Sequence, residues 1–172
     1  MKALILIAEG FEDLELFCPW YRLQEEGLEV TLASPQGKPV TGLHGYRVEP
    51  DMPIRELNPA EYELLILPGG TAVEKLRLRE EAVDVVRTFL EDERRVVAIG
   101  HGAQLLISAG VLGGKRSTCS AGIRDDVRAA GADYRDEAVV VDGTLITVRG
   151  ADDLPLLFER LATRTGARAQ RV

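Results

Sequence analysis

The stretch Arg95-Val96-Val97-Ala98-Ile99-Gly100-His101-Gly102-Ala103-Gln104-Leu105-Leu106 constrains this chain more than any other part of it. An apolar run enters a turn of small residues and leaves as a helix. Such a run suits a strand covered on both faces, as in a parallel sheet. The layout is that of a nucleophile elbow. The turn residue is lifted above the sheet edge, and neighbouring N–H groups face a reacting oxyanion. An elbow carries Ser or Cys at the turn, but here the residue is Gly100. The frame of a catalytic site stands without its attacking atom. A plain reading is also open: Gly100 sits in a turn that favours glycine, and His101 is an ordinary turn histidine.

The remaining chain alternates in the same way. Residues 4–8, 28–33, 64–67 and 96–99 read as buried strands. Residues 13–26 read as a helix with Leu14, Phe17, Tyr21 and Leu23 near one face and Gly27 as its stop. Residues 37–50 suggest a small hairpin excursion. Residues 80–93, 102–109 and 122–130 read as helices. Residues 138–147 form a hairpin turned at Asp142-Gly143. Residues 154–163 close as a helix, capped by Asp152 or Asp153, with Pro155 in its first turn. Strands separated by helices imply right-handed βαβ units, hence a doubly wound α/β parallel sheet with helices on both faces. No linker or repeat divides residues 1–172, so one domain is expected.

Composition narrows the function. The net charge of −7 argues against a nucleic-acid partner, which needs a basic footprint. The tail from Thr163 to Val172 carries Arg164, Arg168 and Arg171, too few to change this; it is expected to be a frayed terminus. No apolar run approaches the roughly 20 residues of a membrane span. Met1 to Ala8 is expected to be a first core strand rather than a signal peptide, because acidic Glu9 and Glu12 follow at once. Cys18 and Cys119 have no metal spacing and make no disulfide framework, so a reducing cytoplasm is the default.

In doubly wound sheets the site lies beyond the carboxyl ends of the strands. Three loops should therefore meet. The first carries Glu12, Asp13 and Glu15; a cap or dipole role suits the first two, while Glu15 either caps or points into the site. The second, Pro68-Gly69-Gly70-Thr71, allows close backbone approach and exposed N–H groups, or is simply a tight turn. It lacks the spacing of a dinucleotide loop, so no cofactor is expected, and no metal. The third is the elbow.

Together these residues resemble the PfpI family of intracellular cysteine proteases and stress proteins, within the DJ-1 superfamily. The resemblance runs through Phe11-Glu12-Asp13-Leu14-Glu15-Leu16, Leu67-Pro68-Gly69-Gly70, the elbow, Gly122-Ile123-Arg124-Asp125-Asp126 and Val139-Val140-Val141-Asp142-Gly143. It implies a flavodoxin-like fold of the class I glutamine amidotransferase type. In that family the elbow reads Ala-x-Cys-His-Gly, and a Glu from the first loop tunes the attacking Cys. Here the resemblance places Glu15 at that acid, His101 after the nucleophile position, and Gly100 at the position itself. It makes Glu74 the acid that reaches a neighbouring subunit's His in a homo-oligomer, dimer or hexamer. It also sets Ser120 where some relatives carry Tyr.

Proteolysis, glyoxalase and deglycase chemistry in this superfamily all use the Cys. A thiolate is the attacking species, and no backbone atom replaces it. Three readings follow. In the first, the chain is a stress-protection protein with a weak or inactive hydrolase site, binding a small carbonyl or anionic ligand through Gly69, Gly70, Gly100 and His101 or protecting other proteins. In the second, Cys18 or Cys119 serves as a relocated thiol for a protease or glyoxalase acting on peptide or carbonyl substrates, although a free Cys is more often a small buried hydrophobe. In the third, Gly100 replaces a native Cys.

Overall fold

The apolar runs become the strands of one mixed sheet. The computed structural model describes residues 1–165. The first half holds β1 (Lys2–Leu6), α1 (Asp13–Glu25), β2 (Glu29–Ser34), β3 (Val40–Thr41), β4 (Arg47–Val48), β5 (Met52–Pro53), β6 (Leu64–Leu67), α2 (Ala72–Leu76) and α3 (Glu80–Glu91). The second holds β7 (Arg95–Ile99), α4 (Ala103–Ala109), β8 (Arg116–Ser117), α5 (Arg124–Ala129), β9 (Asp133–Tyr134), β10 (Val139–Asp142), β11 (Leu145–Val148) and α6 (Leu154–Thr165).

The main sheet runs β10-β11-β7-β6-β1-β2-β5. All neighbours are parallel except β10, which returns antiparallel to β11 through the Asp142-Gly143 turn. The order β2-β1-β6-β7-β11 is flavodoxin-like. The chain leaves β1 toward β2, then crosses back to β6 and moves the other way. Right-handed crossovers in opposite directions put helices on opposite faces. Accordingly α1 packs against α6, while α4 packs against α2, α3 and α5. The switch point lies between β1 and β6, whose carboxyl ends align with that of β7.

Leu4, Ile5, Leu65, Ile66, Val96 and Val97 are fully buried. Each is worth about 1.5–3 kcal/mol relative to exposure. Phe89 anchors α3 with no exposed surface, and Phe89→Ala would cost about 3–5 kcal/mol.

Several expectations shift. The first strand begins and ends two residues early, at Lys2 and Leu6. On α1 the buried apolar residues are Leu16, Pro19 and Leu23, while Leu14 and Tyr21 are exposed. The aromatic side chains of that outer face instead stack on one another: Phe17 on Trp20 and Tyr21, with Tyr46 edge-on. Residues 122–130 divide into a 3₁₀ turn, Ala121–Ile123, and the short α5. Asp153 ends a 3₁₀ turn and accepts from Arg149 Nε at 3.1 Å, so its carboxylate is engaged there. The basic tail beyond residue 165 lies outside the described residues.

Candidate functional site

The site is assembled from three loops at the sheet's carboxyl edge. The first is tied down by α1's own cap. Glu12 is extended, and its carboxylate accepts the Glu15 N–H at 2.8 Å. Glu15 then occupies the third helical position and turns back over the strand ends. It is 5% exposed, and its Oε2 accepts the Gly69 N–H at 2.6 Å. One bond thus joins residues 54 positions apart.

The second loop follows β6. Phe11 and Gly70 form an antiparallel bridge, reinforced by Glu12 N–H donating to Gly69 O at 3.2 Å. Gly70 has φ +84, and a Cβ there would stand 2.4 Å from Gly10 O. Only glycine lets these two backbones approach so closely.

The third loop is the elbow. Ile99 is extended, Gly100 has φ +56, and Gly100–Gly102 makes one 3₁₀ turn before α4. The expected helix from residue 102 therefore begins one residue later, at Ala103. Ser120 N–H donates to Gly100 O at 3.4 Å and brings a fourth segment over the turn. A Cβ on residue 100 would stand 2.9 Å from Glu15 Oε1 and 3.0 Å from Ser120 Oγ. The His101 backbone nitrogen lies 3.0 Å from where a Cβ on Gly69 would be.

Burial pushes the Glu15 carboxyl up to about 7; the Gly69 N–H pulls it back and the Glu12 charge adds to the rise. Near neutral pH Glu15 exists in both forms. It can donate a proton or accept one, the range suited to general acid–base work.

The structure thus gathers Glu15, Gly69, Gly70, Gly100 and His101. Gly69 gives its N–H to Glu15, which leaves the Gly70 and His101 amides as the other backbone donors beside it. Glu74 lies on the exposed side of α2. Within one chain it forms no ion pair with His101 among the described residues.

The two thiols stand elsewhere. Cys119 has no exposed surface; burial pushes its thiol up to about 11, with Arg128 opposing and Asp126 adding. Cys18 is partly buried in α1, and burial followed by the Glu12 charge raises it as well. Neither environment favours a thiolate.

Two polar residues gain importance from the fold. Ser120 is twenty positions from Gly100, and its spacing carries no signal of their contact. Asp13 stands in the first turn of α1, where an acid complements the helix dipole as expected; it is also 3% exposed and accepts the His44 N–H at 2.9 Å, clamping the β3–β4 hairpin beside the first loop. A cavity of about 580 Å³ opens beyond β1 and β2, walled by Ser34, Lys38, Lys75, Leu78 and Arg79. No elbow residue lines it. No helix among the described residues is long and apolar enough to cross a membrane.

A model described as the DJ-1/PfpI family matches residues 1–164. Deglycase TK1284 of Thermococcus kodakarensis is 51% identical over 154 residues, covering 90% of this chain and 93% of its own. Deglycase PfpI of Pyrococcus furiosus is 48% identical over 154 residues, with the same coverage. Among solved structures, a two-domain protein from Anabaena variabilis, containing DJ-1/ThiJ/PfpI-like and ferritin-like domains, superposes on 100% of this chain with a TM-score of 0.96 at 34% identity. The chain spans about half, 52%, of that longer protein.

Proposed function

The chain belongs to the DJ-1/PfpI family, and from that membership we propose that it is a stress-protection protein whose elbow binds a small carbonyl compound without thiolate chemistry. The observation that carries this reading is the surroundings of Gly100. The turn has the backbone of an elbow, and a buried acid that ionises near neutrality flanks it. The space where a side chain would begin is bordered by oxygens rather than sulfur. The names of the Thermococcus and Pyrococcus relatives point to carbonyl adducts rather than peptides as the ligand class.

A carbonyl compound placed above Gly100 would sit beside the Glu15 carboxyl, which when protonated would supply a donor, with the Gly70 and His101 amides of the flanking loops as the further donors this reading calls on. Donors fixed in advance in a site shielded from water stabilise developing negative charge strongly. With no thiol, the chain binds the carbonyl and does not run the covalent cycle of a cysteine enzyme.

The test is calorimetric titration with methylglyoxal, alongside an assay of its consumption. Saturable binding with little turnover supports the reading. Robust turnover would defeat it, by thiolate chemistry if Cys18→Ala or Cys119→Ala abolishes it and by another route if it survives both. The proposal extends to assembly. In a homo-oligomer, Glu74 of one subunit approaches His101 of another, and a strict monomer in light scattering would remove this part.

A further inference from the structure

Residue 100 contributes no side chain, but the space above it is furnished. The hydroxyl of Ser120 and the carboxyl of Glu15 converge there, 3.0 Å and 2.9 Å from the point where a Cβ would be. Both groups come from outside the elbow: Ser120 lies over it with its N–H 3.4 Å from Gly100 O, and Glu15 is fixed by the Gly69 N–H at 2.6 Å. Among the described residues the Ser120 hydroxyl has only a long contact, to Arg149 O at 3.4 Å, beyond the usual range for O–H···O bonds. It is half-buried, whereas the adjacent Cys119 is sealed in the core. The loop therefore presents an oxygen to the elbow and hides its sulfur.

We propose that Ser120 is the nucleophile of this elbow, adding through Oγ to the carbonyl carbon of a small aldehyde above Gly100 while the Glu15 carboxylate takes its proton. This rests on the carbonyl-binding reading above. In the addition an Oγ–C bond forms and the carbonyl π bond breaks. The former carbonyl oxygen receives the proton that Glu15 removed from Ser120. The product is a hemiacetal, no electrons are transferred, and the reverse step releases the aldehyde intact. A serine hydroxyl is a weak nucleophile that needs an adjacent base. Glu15 qualifies because burial makes it more basic than an ordinary carboxylate while leaving much of it ionised at neutral pH.

Diisopropyl fluorophosphate tests the nucleophile directly. With this probe an Oγ–P bond forms, the P–F bond breaks, fluoride leaves, and the proton goes to Glu15. Intact mass and peptide mapping should find one adduct, on Ser120. Ser120→Ala should not acquire it, Glu15→Gln should acquire it at least about a hundredfold more slowly, and excess methylglyoxal should protect against it. Thermal melts establish that each variant is folded; if Glu15→Gln is not, Glu15→Asp, which retracts the carboxyl, takes its place and should also be slowed. An unlabelled Ser120, or equal rates with and without the Glu15 carboxyl, overturns the inference. If methylglyoxal binds while Ser120 stays unlabelled, the inference falls and the carbonyl-binding reading stands. If Ser120 is labelled but methylglyoxal neither binds nor protects, the carbonyl-binding reading falls and the aldehyde addition with it.

Discussion

The elbow and the two cysteine sites hold complementary halves of one chemistry. At the elbow, a carboxyl that titrates near 7 faces a backbone turn with no side chain. At Cys119 a thiol is present, but burial drives it toward the neutral form, up to about 11. At Cys18 the thiol shares its helix with Glu15, yet burial and Glu12 raise it too. Reactivity therefore needs the atom and its surroundings at one address. Residues 119 and 120 make the contrast sharpest. They are adjacent in the chain, and only the second borders the space beside Glu15.

Moving the atom to the base should have the largest effect. Gly100→Cys places a thiol beside Glu15, where the protonated carboxyl can donate to a thiolate. That thiol should alkylate at least about a hundredfold faster at neutral pH than Cys18 or Cys119. Iodoacetamide kinetics with peptide mapping reads this. An inert thiol in a folded Gly100→Cys protein would mean that the elbow's surroundings have lost their tuning as well.

The base can be isolated through pH. Glu15 has its folded pKa raised from 4.5 to about 7, so the folded state binds more protons than the unfolded state between those values. Stability from this group is therefore fully present below pH 4.5, is lost as pH rises toward 7, and changes little beyond. The loss amounts to about 3 kcal/mol. Glu15→Gln keeps the acceptor for Gly69 and should abolish this slope. Denaturant melts of both proteins from pH 4 to 8 measure it. Parallel slopes would show that Glu15 does not carry the burial penalty assigned to it.

The cost of a side chain at the elbow is smaller. Gly100 has φ +56, which L-residues adopt with strain. Gly100→Ala should lose about 1–3 kcal/mol, and Gly100→Cys a similar amount. A neutral Gly100→Ala melt would mean that the turn relaxes without penalty.

The thiol sites should matter least. Cys119→Ala leaves a small void and should cost about 0.5–1.5 kcal/mol, and Cys18→Ala less. Neither should alter methylglyoxal binding. A lost titration signal in either would return a cysteine to the chemistry.

Much of this was readable in the chain because it rests on long, unambiguous signals. The apolar runs at residues 64–67 and 96–99 cannot be solvent-facing, and Asp142-Gly143 turns a hairpin almost by composition. Glu15 was visible as an acid beside Leu16 in a loop that the sheet topology turns toward the strand ends, although Leu14 on its other side is exposed. What escaped lacked such signals. β5 has two residues and includes a proline, β8 and β9 pair over two residues each, and α2 is one helical turn after a tight loop. The outward face of α1 misled because aromatic residues can satisfy one another on a surface. Leu14 and Tyr21 carry the periodicity of a core stripe without the burial. Asp13 and Ser120 acquire their roles from partners 31 and 20 positions away, His44 and Gly100, which local spacing does not encode.

The short bond from Gly69 N–H to Glu15 gives the molecule a built-in gauge. An amide proton shared with a carboxylate at 2.6 Å is deshielded, and its resonance moves when the carboxylate gains or loses its proton. The Gly69 cross-peak in a nitrogen–proton correlation spectrum of the isotope-labelled protein should therefore trace the titration of Glu15 without any substitution. Anything that settles above the elbow and draws on the same carboxyl should shift that one peak, so occupancy of the site can be followed from a backbone atom that never touches the occupant.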